Sequence, residues 1–144
     1  MSDDFRHRTR IEVRFRDIDS FGHVNNAVIA SYVEQARIRY LRDVIGADPV
    51  GNMPLILGML KIDYRSPVFF EDAVEVGTRV DWIGNSSIAM SHRLTAADRE
   101  LALSSSVLVA YDYEQARPMP VPDDWRAAFA EHEGRALEKP RSNA

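Results

Sequence analysis

The strongest constraint on what this chain can fold into is a single long helix pattern set among strand patterns. From Asn26 to Ile45 the apolar positions Ile29, Val33, Ala36, Tyr40, Leu41 and Val44 recur at helical spacing, and Gly46 follows where a helix C-terminal glycine belongs. That spacing predicts roughly five turns of amphipathic helix. The other long patterns are extended. TRIEVRFR (9–16) alternates Ile11, Val13 and Phe15 against Glu12, Arg14 and Arg16, and LILGMLKIDYRS (55–66) reads as a mostly buried strand stopped by Pro67. AVEVGTRVDWIG (73–84), SIAMSHRL (87–94) and ELALSSSVLVAYDY (100–113) follow, joined by short turns at Gly84–Asn85 and Ala97–Asp98 that favour an antiparallel meander. A lone long helix cannot bury its own stripe, and an antiparallel sheet must cover one face, so the fold class expected is α+β with the sheet wrapped around one long central helix. Ala102, Ser104, Ser106 and Ala110 on one face of the last strand are small enough to let something bulky approach.

At 144 residues and 45% hydrophobic the chain suits one domain, with a core over about residues 8–125. RPMPVP (117–122) forms a stiff link into a short amphipathic helix at about 122–134, and the tail EKPRSNA is expected to be mobile. A loop containing Pro49, Gly51 and Pro54 separates the long helix from the next strand. The net charge is −4 and the 18 basic residues are scattered, which argues against a nucleic-acid partner. There is no cysteine, so any catalysis must use oxygen and nitrogen groups. MSDDFRHRTR has no apolar core of a signal peptide, and no run approaches the ~18 apolar residues that span a bilayer, so a soluble, cytoplasmic protein is expected.

Polar groups crowd the helix entrance. Asp17, Asp19, Ser20, Gly22, His23, Asn25 and Asn26 all precede or open the long helix. Any strand-to-helix turn can use Asp, Asn and Gly as caps and as residues with unusual backbone angles. The same groups also fit catalysis. A helix N-terminus offers unpaired N–H groups to a developing oxyanion, and a neighbouring carboxylate can act as nucleophile or general base. Asp17, Asp19 and His23 would give a metal only three ligands with no further histidine cluster, so no metal or cofactor is expected. An aspartyl-phosphate phosphatase would need an apolar parallel strand in a larger α/β domain, whereas FRDIDSF follows an alternating, charged strand. His92 falls on an apolar strand face and reads as a satisfied core residue; His7 and His132 read as surface.

The segment D-I-D-S-F-G-H-V-N-N (17–26), followed by Y-V-E-Q-A-R (32–37), resembles the acyl-CoA thioesterases of the hotdog fold, the group that includes 4-hydroxybenzoyl-CoA thioesterase, and is similar to the plant acyl-ACP thioesterases. Y-R-S-P-V (64–68), E-D-A-V-E-V (71–76), I-G-N-S-S (83–87) and R-P-M-P-V-P (117–122) agree in order, extending the resemblance over about residues 8–125. It implies hydrolysis of an acyl-CoA thioester by a homodimer or homotetramer with sites at the subunit interface. It implies Asp19 as the catalytic carboxylate and His23, Asn25 and Asn26 as its companions, with amides near Gly22 and Val24 polarising the thioester carbonyl. Glu34, Tyr64 and Arg65 are the substrate-binding candidates, and Arg65 or Arg93 would meet CoA phosphates. The plant enzymes carry asparagine where this chain has Phe21. Whether Asp19 activates water or attacks directly, and whether the carrier is CoA or acyl carrier protein, is left open. The rivals are an enoyl-thioester hydratase or dehydratase of the same fold and a non-catalytic acyl-CoA or acyl-carrier binding module.

Overall fold

The computed structural model describes residues 5–48, 50–51 and 53–141. Pro49 of the connecting loop, and the ends 1–4 and 142–144 that carried part of the leader and tail expectations, lie outside the described residues. In chain order the elements are β1 (His7–Glu12), a 3-10 turn (Phe15–Asp17), α1 (Asn26–Ile45), β2 (Leu55–Tyr64), β3 (Ala73–Ile83), β4 (Ser87–Ala96), β5 (Arg99–Asp112), the short β6 (Arg117–Pro118) and α2 (Asp123–Glu133). The long strands pair antiparallel in the order β1-β3-β4-β5-β2, and β6 adds to the far end of β5. With α1 packed on one face of that sheet, this is the hotdog arrangement.

The helix forms where its spacing predicts. Asn25 caps it by accepting the Ala27 N–H at 2.8 Å, and Gly46 closes it in the left-handed conformation at φ 68°. Its buried stripe, Ile29, Tyr32, Val33, Ala36, Arg37, Tyr40 and Leu41, faces the sheet. The small residues Ala102, Ser104, Ser106 and Ala110 lie on the inner, buried face of β5.

Register makes the core polar in one band. His7 pairs with Thr78, Thr78 with His92 and His92 with Ser104, so four polar side chains form one row across the sheet. His92 is 1% exposed and bonds Thr78 Oγ1 at 3.1 Å and Ser106 Oγ at 3.4 Å, as expected of a satisfied core residue. Ser104 donates to the Lys61 carbonyl at 2.8 Å. The buried guanidinium of Arg37 sits above the band, its pKa lowered by burial and supported by Glu34 at 3.8 Å. The apolar core is thereby split. Ile11, Val24, Ile29, Val33, Val76 and Leu94 pack at the end near the helix entrance, and Tyr40, Leu41, Ile88, Met90, Leu108 and Phe129 pack at the other.

Three expectations need correction. The first strand ends at Glu12 rather than Arg16, because the Asp17 carboxylate accepts the Arg14 N–H at 3.0 Å and folds the chain into a turn that leaves Phe15 81% exposed. β2 is not mostly buried: it is the sheet edge, and Leu57, Met59 and Tyr64 are exposed. His7 and His132 are not free surface residues. The His7 ring meets Tyr40 edge-on at 5.3 Å and bonds Asp43 at 2.8 Å, while the His132 ring lies 5.2 Å from Tyr40. α2 brings them together by docking Glu133 under α1, where its buried carboxylate accepts from the Tyr40 hydroxyl at 2.5 Å and the Val80 N–H at 3.0 Å.

Candidate active site

The segment between the 3-10 turn and α1 folds back on itself. The Asn25 N–H donates to the Asp17 carbonyl at 2.9 Å and the Asp19 N–H to the His23 carbonyl at 2.9 Å, with Ile18 and Val24 facing each other across the narrow loop. Gly22 closes it at φ 89°, a value that strains any residue with a Cβ. Val24 is buried and its N–H donates to the Val68 carbonyl at 2.7 Å, fastening the loop to the chain beyond β2. The loop holds Asp19 and His23 on neighbouring legs.

Asp19 Oδ1 accepts the Phe21 N–H at 2.8 Å, and Oδ2 lies 3.9 Å from His23 Nδ1, with the carboxylate side chain 20% exposed. One oxygen is thus anchored and the other faces the histidine without a close hydrogen bond. The His23 Nδ1 lies 3.2 Å from the Val24 carbonyl, and when that nitrogen carries the proton Nε2 is left as an acceptor. Phe21 stacks on the imidazole at 6.2 Å between ring centres.

Beside this loop is a cleft of about 320 Å³. His23, Val24 and Asn26 form one side, Ile29 of α1 the floor, and Tyr64 and Arg65 at the end of β2 the other side. The Tyr64 hydroxyl donates to the Asn26 carbonyl at 2.9 Å, tying the strand end to the helix start. Five sequence candidates therefore meet at one cleft: His23, Val24, Asn26, Tyr64 and Arg65. Asp19 stands behind His23 rather than in its wall.

The remaining candidates are placed otherwise. The Asn25 amide oxygen is occupied as the helix cap. Glu34 is exposed, pairs with Arg37 and is not part of the cleft. The amides expected to meet a carbonyl oxygen, those of Gly22 and Val24, are already spent on the Asp19 and Val68 carbonyls. The amides of His23 and Asn26 have no acceptor among the described residues, and both residues line the cleft. The Asp19 and Asn25 N–H groups close the loop across its two legs, Val24 turns its N–H out to Val68, and the Asn26 N–H is a first-turn helix amide with no intrahelical acceptor. Arg65 and Arg93 are held by acids, Arg65 by Asp63 at 2.7 Å and Arg93 by Glu100 at 3.1 Å. Among the described residues no three His, Asp or Glu side chains are grouped to hold a metal ion. Asp17 is committed to structure: it accepts from the buried Tyr32 hydroxyl at 2.6 Å, and burial and that bond together raise the Tyr32 pKa.

Comparison with known proteins agrees with this architecture. The profile of the Thioesterase-like superfamily matches residues 13–129. The chain is 27% identical to an acyl-acyl carrier protein thioesterase, ATL3, of Arabidopsis thaliana chloroplasts, over 85% of this chain and 67% of that one. It is 24% identical to the acyl-CoA thioester hydrolase YbgC of Escherichia coli O6:H1, over 85% and 94% respectively. Among solved structures, a thioesterase of Thermus thermophilus complexed with coenzyme A and zinc superposes with a TM-score of 0.85 at 38% identity, covering 94% of this chain and all of that one. A putative thioesterase of Pseudomonas aeruginosa, PA2801, reaches 0.80 at 32% identity, over 88% and 99%.

Proposed function

We propose, from the premise that the chain belongs to the thioesterase-like superfamily, that it hydrolyses acyl-CoA thioesters to a free acid and CoA with Asp19 as the reacting carboxylate. The observation that carries this is the convergence, at the entrance of α1, of a histidine and two unclaimed amides on one cleft with a half-anchored carboxylate directly behind the histidine. The thioester carbonyl would enter that cleft with its oxygen toward the N–H groups of His23 and Asn26. As carbonyl carbon becomes tetrahedral, charge grows on that oxygen, and fixed donors at a helix start favour the charged state over the ground state. Asp19 Oδ2 takes a proton from water as the water oxygen attacks the carbonyl carbon, or attacks that carbon itself to give a mixed anhydride that water then opens. In either case the C–S bond breaks to release the CoA thiolate, which needs no strong general acid to leave. His23 holds the water between its ring and the carboxylate, and Asn25 acts through the helix it caps.

The site is proposed to be completed by a second copy. β2 is an edge strand of ten residues with Leu57, Met59 and Tyr64 exposed, and an open apolar edge is a template for another strand. Edge-to-edge pairing of two β2 strands makes a homodimer, and Tyr64 at the end of that strand with Arg65 just beyond it puts the substrate cleft near the seam. Among the described residues no helix is long and apolar enough to cross a membrane, and a cytoplasmic enzyme acting on CoA esters is the setting proposed.

Release of free thiol, followed with a thiol-reactive dye across short, medium, long and aromatic acyl-CoAs, tests this. Turnover of at least one acyl-CoA is expected. Hydration of an enoyl-CoA without thiol release would replace hydrolysis by the hydratase chemistry of the same fold. Tight binding without turnover would make the protein a carrier of thioesters.

A further inference from the structure

A second concave surface lies across the first turns of α1 from the thioester cleft, and it is strongly basic. It measures about 610 Å³ and is lined by Arg10 of β1, Arg14 and Arg16 of the following turn, and Arg39 of α1. All four are exposed, and none of the four guanidinium groups has an ion-pair or hydrogen-bond partner among the described residues. The contrast within the same chain is sharp. Arg8 is paired with Glu75 at 3.0 Å, Arg79 with Asp81 at 2.9 Å and Arg99 with Asp72 at 2.5 Å, and Arg65 and Arg93 have acid partners as described. Those arginines are neutralised by acids, while four uncommitted ones surround one hollow. Two acids share its wall. Asp17 is already engaged by the Tyr32 hydroxyl and the Arg14 N–H, and Glu12 is exposed at the rim. The local excess is positive on a chain whose net charge is −4.

Planar guanidinium forks match phosphate oxygens two at a time, and a concave cleft of this size suits a small polyanion. Its position relates it to the chemistry. Asp17 in its wall is two residues from Asp19, so the hollow begins within about 7 Å of chain from the reacting carboxylate. Arg39 stands eleven residues beyond Val28, the hollow's first helix residue, or about 16 Å along α1. A ligand with its reactive thioester at the helix entrance and its phosphates carried away on a long arm would span that distance. CoA has that form, with a diphosphate and a ribose 3′-phosphate at the end opposite its thiol.

We propose that Arg10, Arg14, Arg16 and Arg39 form the subsite for the phosphate groups of the CoA nucleotide. The assignment rests on acyl-CoA being the substrate, and it makes these arginines binding residues that take no part in bond breaking. The test compares wild type with an Arg14→Gln/Arg39→Gln double variant, and with Arg117→Gln as a control for loss of an exposed positive charge outside the hollow. Each is assayed on an acyl-CoA and on the acyl-pantetheine thioester of the same acid, which lacks the nucleotide. The KM for acyl-CoA should rise at least about tenfold in the double variant, with kcat little changed and the penalty shrinking as salt is added. The acyl-pantetheine constants should not move. An unchanged KM for acyl-CoA, or equal losses on both substrates, overturns the subsite. Calorimetric binding of free CoA, dephospho-CoA and ADP keeps the result separate from hydrolysis. If no thioester is turned over, hydrolysis fails, while weaker binding of free CoA to the double variant still supports the subsite. If ADP binds the hollow but does not compete with acyl-CoA, the arginines serve a separate nucleotide and the CoA assignment is wrong.

Discussion

The buried histidine of the polar band should make the protein acid-sensitive in a defined window. His92 lies between Thr78 and Ser106 under α1, and burial, reinforced by the nearby Arg37 charge, lowers its pKa from 6.5 to about 3. The folded state therefore refuses a proton that the unfolded chain accepts below pH 6.5. In that window the unfolded state binds more protons, so stability falls as pH falls from 6.5 toward 3 and is flat above 6.5. At 1.36 kcal/mol per pH unit, the group costs about 2 kcal/mol at pH 5 relative to pH 8. For a chain near this length that corresponds to a Tm lowered by roughly 4–8 °C. The perturbation is His92→Gln, which keeps polar atoms in the band but cannot titrate. Thermal melts of wild type and variant from pH 8 to pH 5, followed by circular dichroism, give the difference directly, because other titrating groups cancel. The variant should be less stable at pH 8 and should lose less on acidification than wild type. Parallel pH curves would refute the idea that His92 is held neutral by its surroundings.

Four further outcomes follow from particular contacts. Tyr40→Phe removes the hydroxyl from Glu133, a bond to a charged group worth about 1.5–3 kcal/mol, and should lower the Tm by several degrees in a denaturation experiment without changing kcat. Burial and Glu133 also raise the Tyr40 pKa, so the folded state keeps its proton where the unfolded chain gives it up, and wild-type stability should decline above about pH 10 more steeply than that of Tyr40→Phe. Gly22→Ala meets no neighbouring atom but forces a Cβ onto φ 89°, at a cost of about 1–2 kcal/mol; kcat should fall with little change in Tm if the loop deforms to relieve the strain. Asn25→Ala deletes the helix cap and should cost about 1 kcal/mol in urea unfolding.

The helix and the meander were legible in the sequence because their signals are local: a 3.6-residue stripe with a glycine stop, and alternation broken by short turns. The small residues of β5 read as room for something bulky, and they lie on the inner, buried face of that strand. What the one-dimensional pattern lacked was position within the sheet. Leu55 to Leu60 read as buried because the run is apolar, yet a strand's place at an edge depends on the order of pairing, which no single strand encodes. His7 and His132 looked peripheral because each lies near an end of the chain, and only the docking of α2 across α1 brings them against Tyr40. At the helix entrance the residue types marked out the candidate loop, but which of its amides stay unbonded follows from the loop's own hydrogen bonds. Arg10, Arg14, Arg16 and Arg39 carried no motif. Scattered over thirty residues, they converge only when β1 lies beside α1.

The most direct test of the proposed chemistry is kcat/KM of Asp19→Asn against wild type on the best acyl-CoA, with circular dichroism and melting of both proteins. Asparagine can still accept the Phe21 N–H, so the loop should persist while the base or nucleophile is lost. A fall of at least about 100-fold in a variant that melts like wild type is predicted. An Asp19→Asn enzyme that is folded and turns over at the wild-type rate would remove the carboxylate from the mechanism and leave His23 to supply the base.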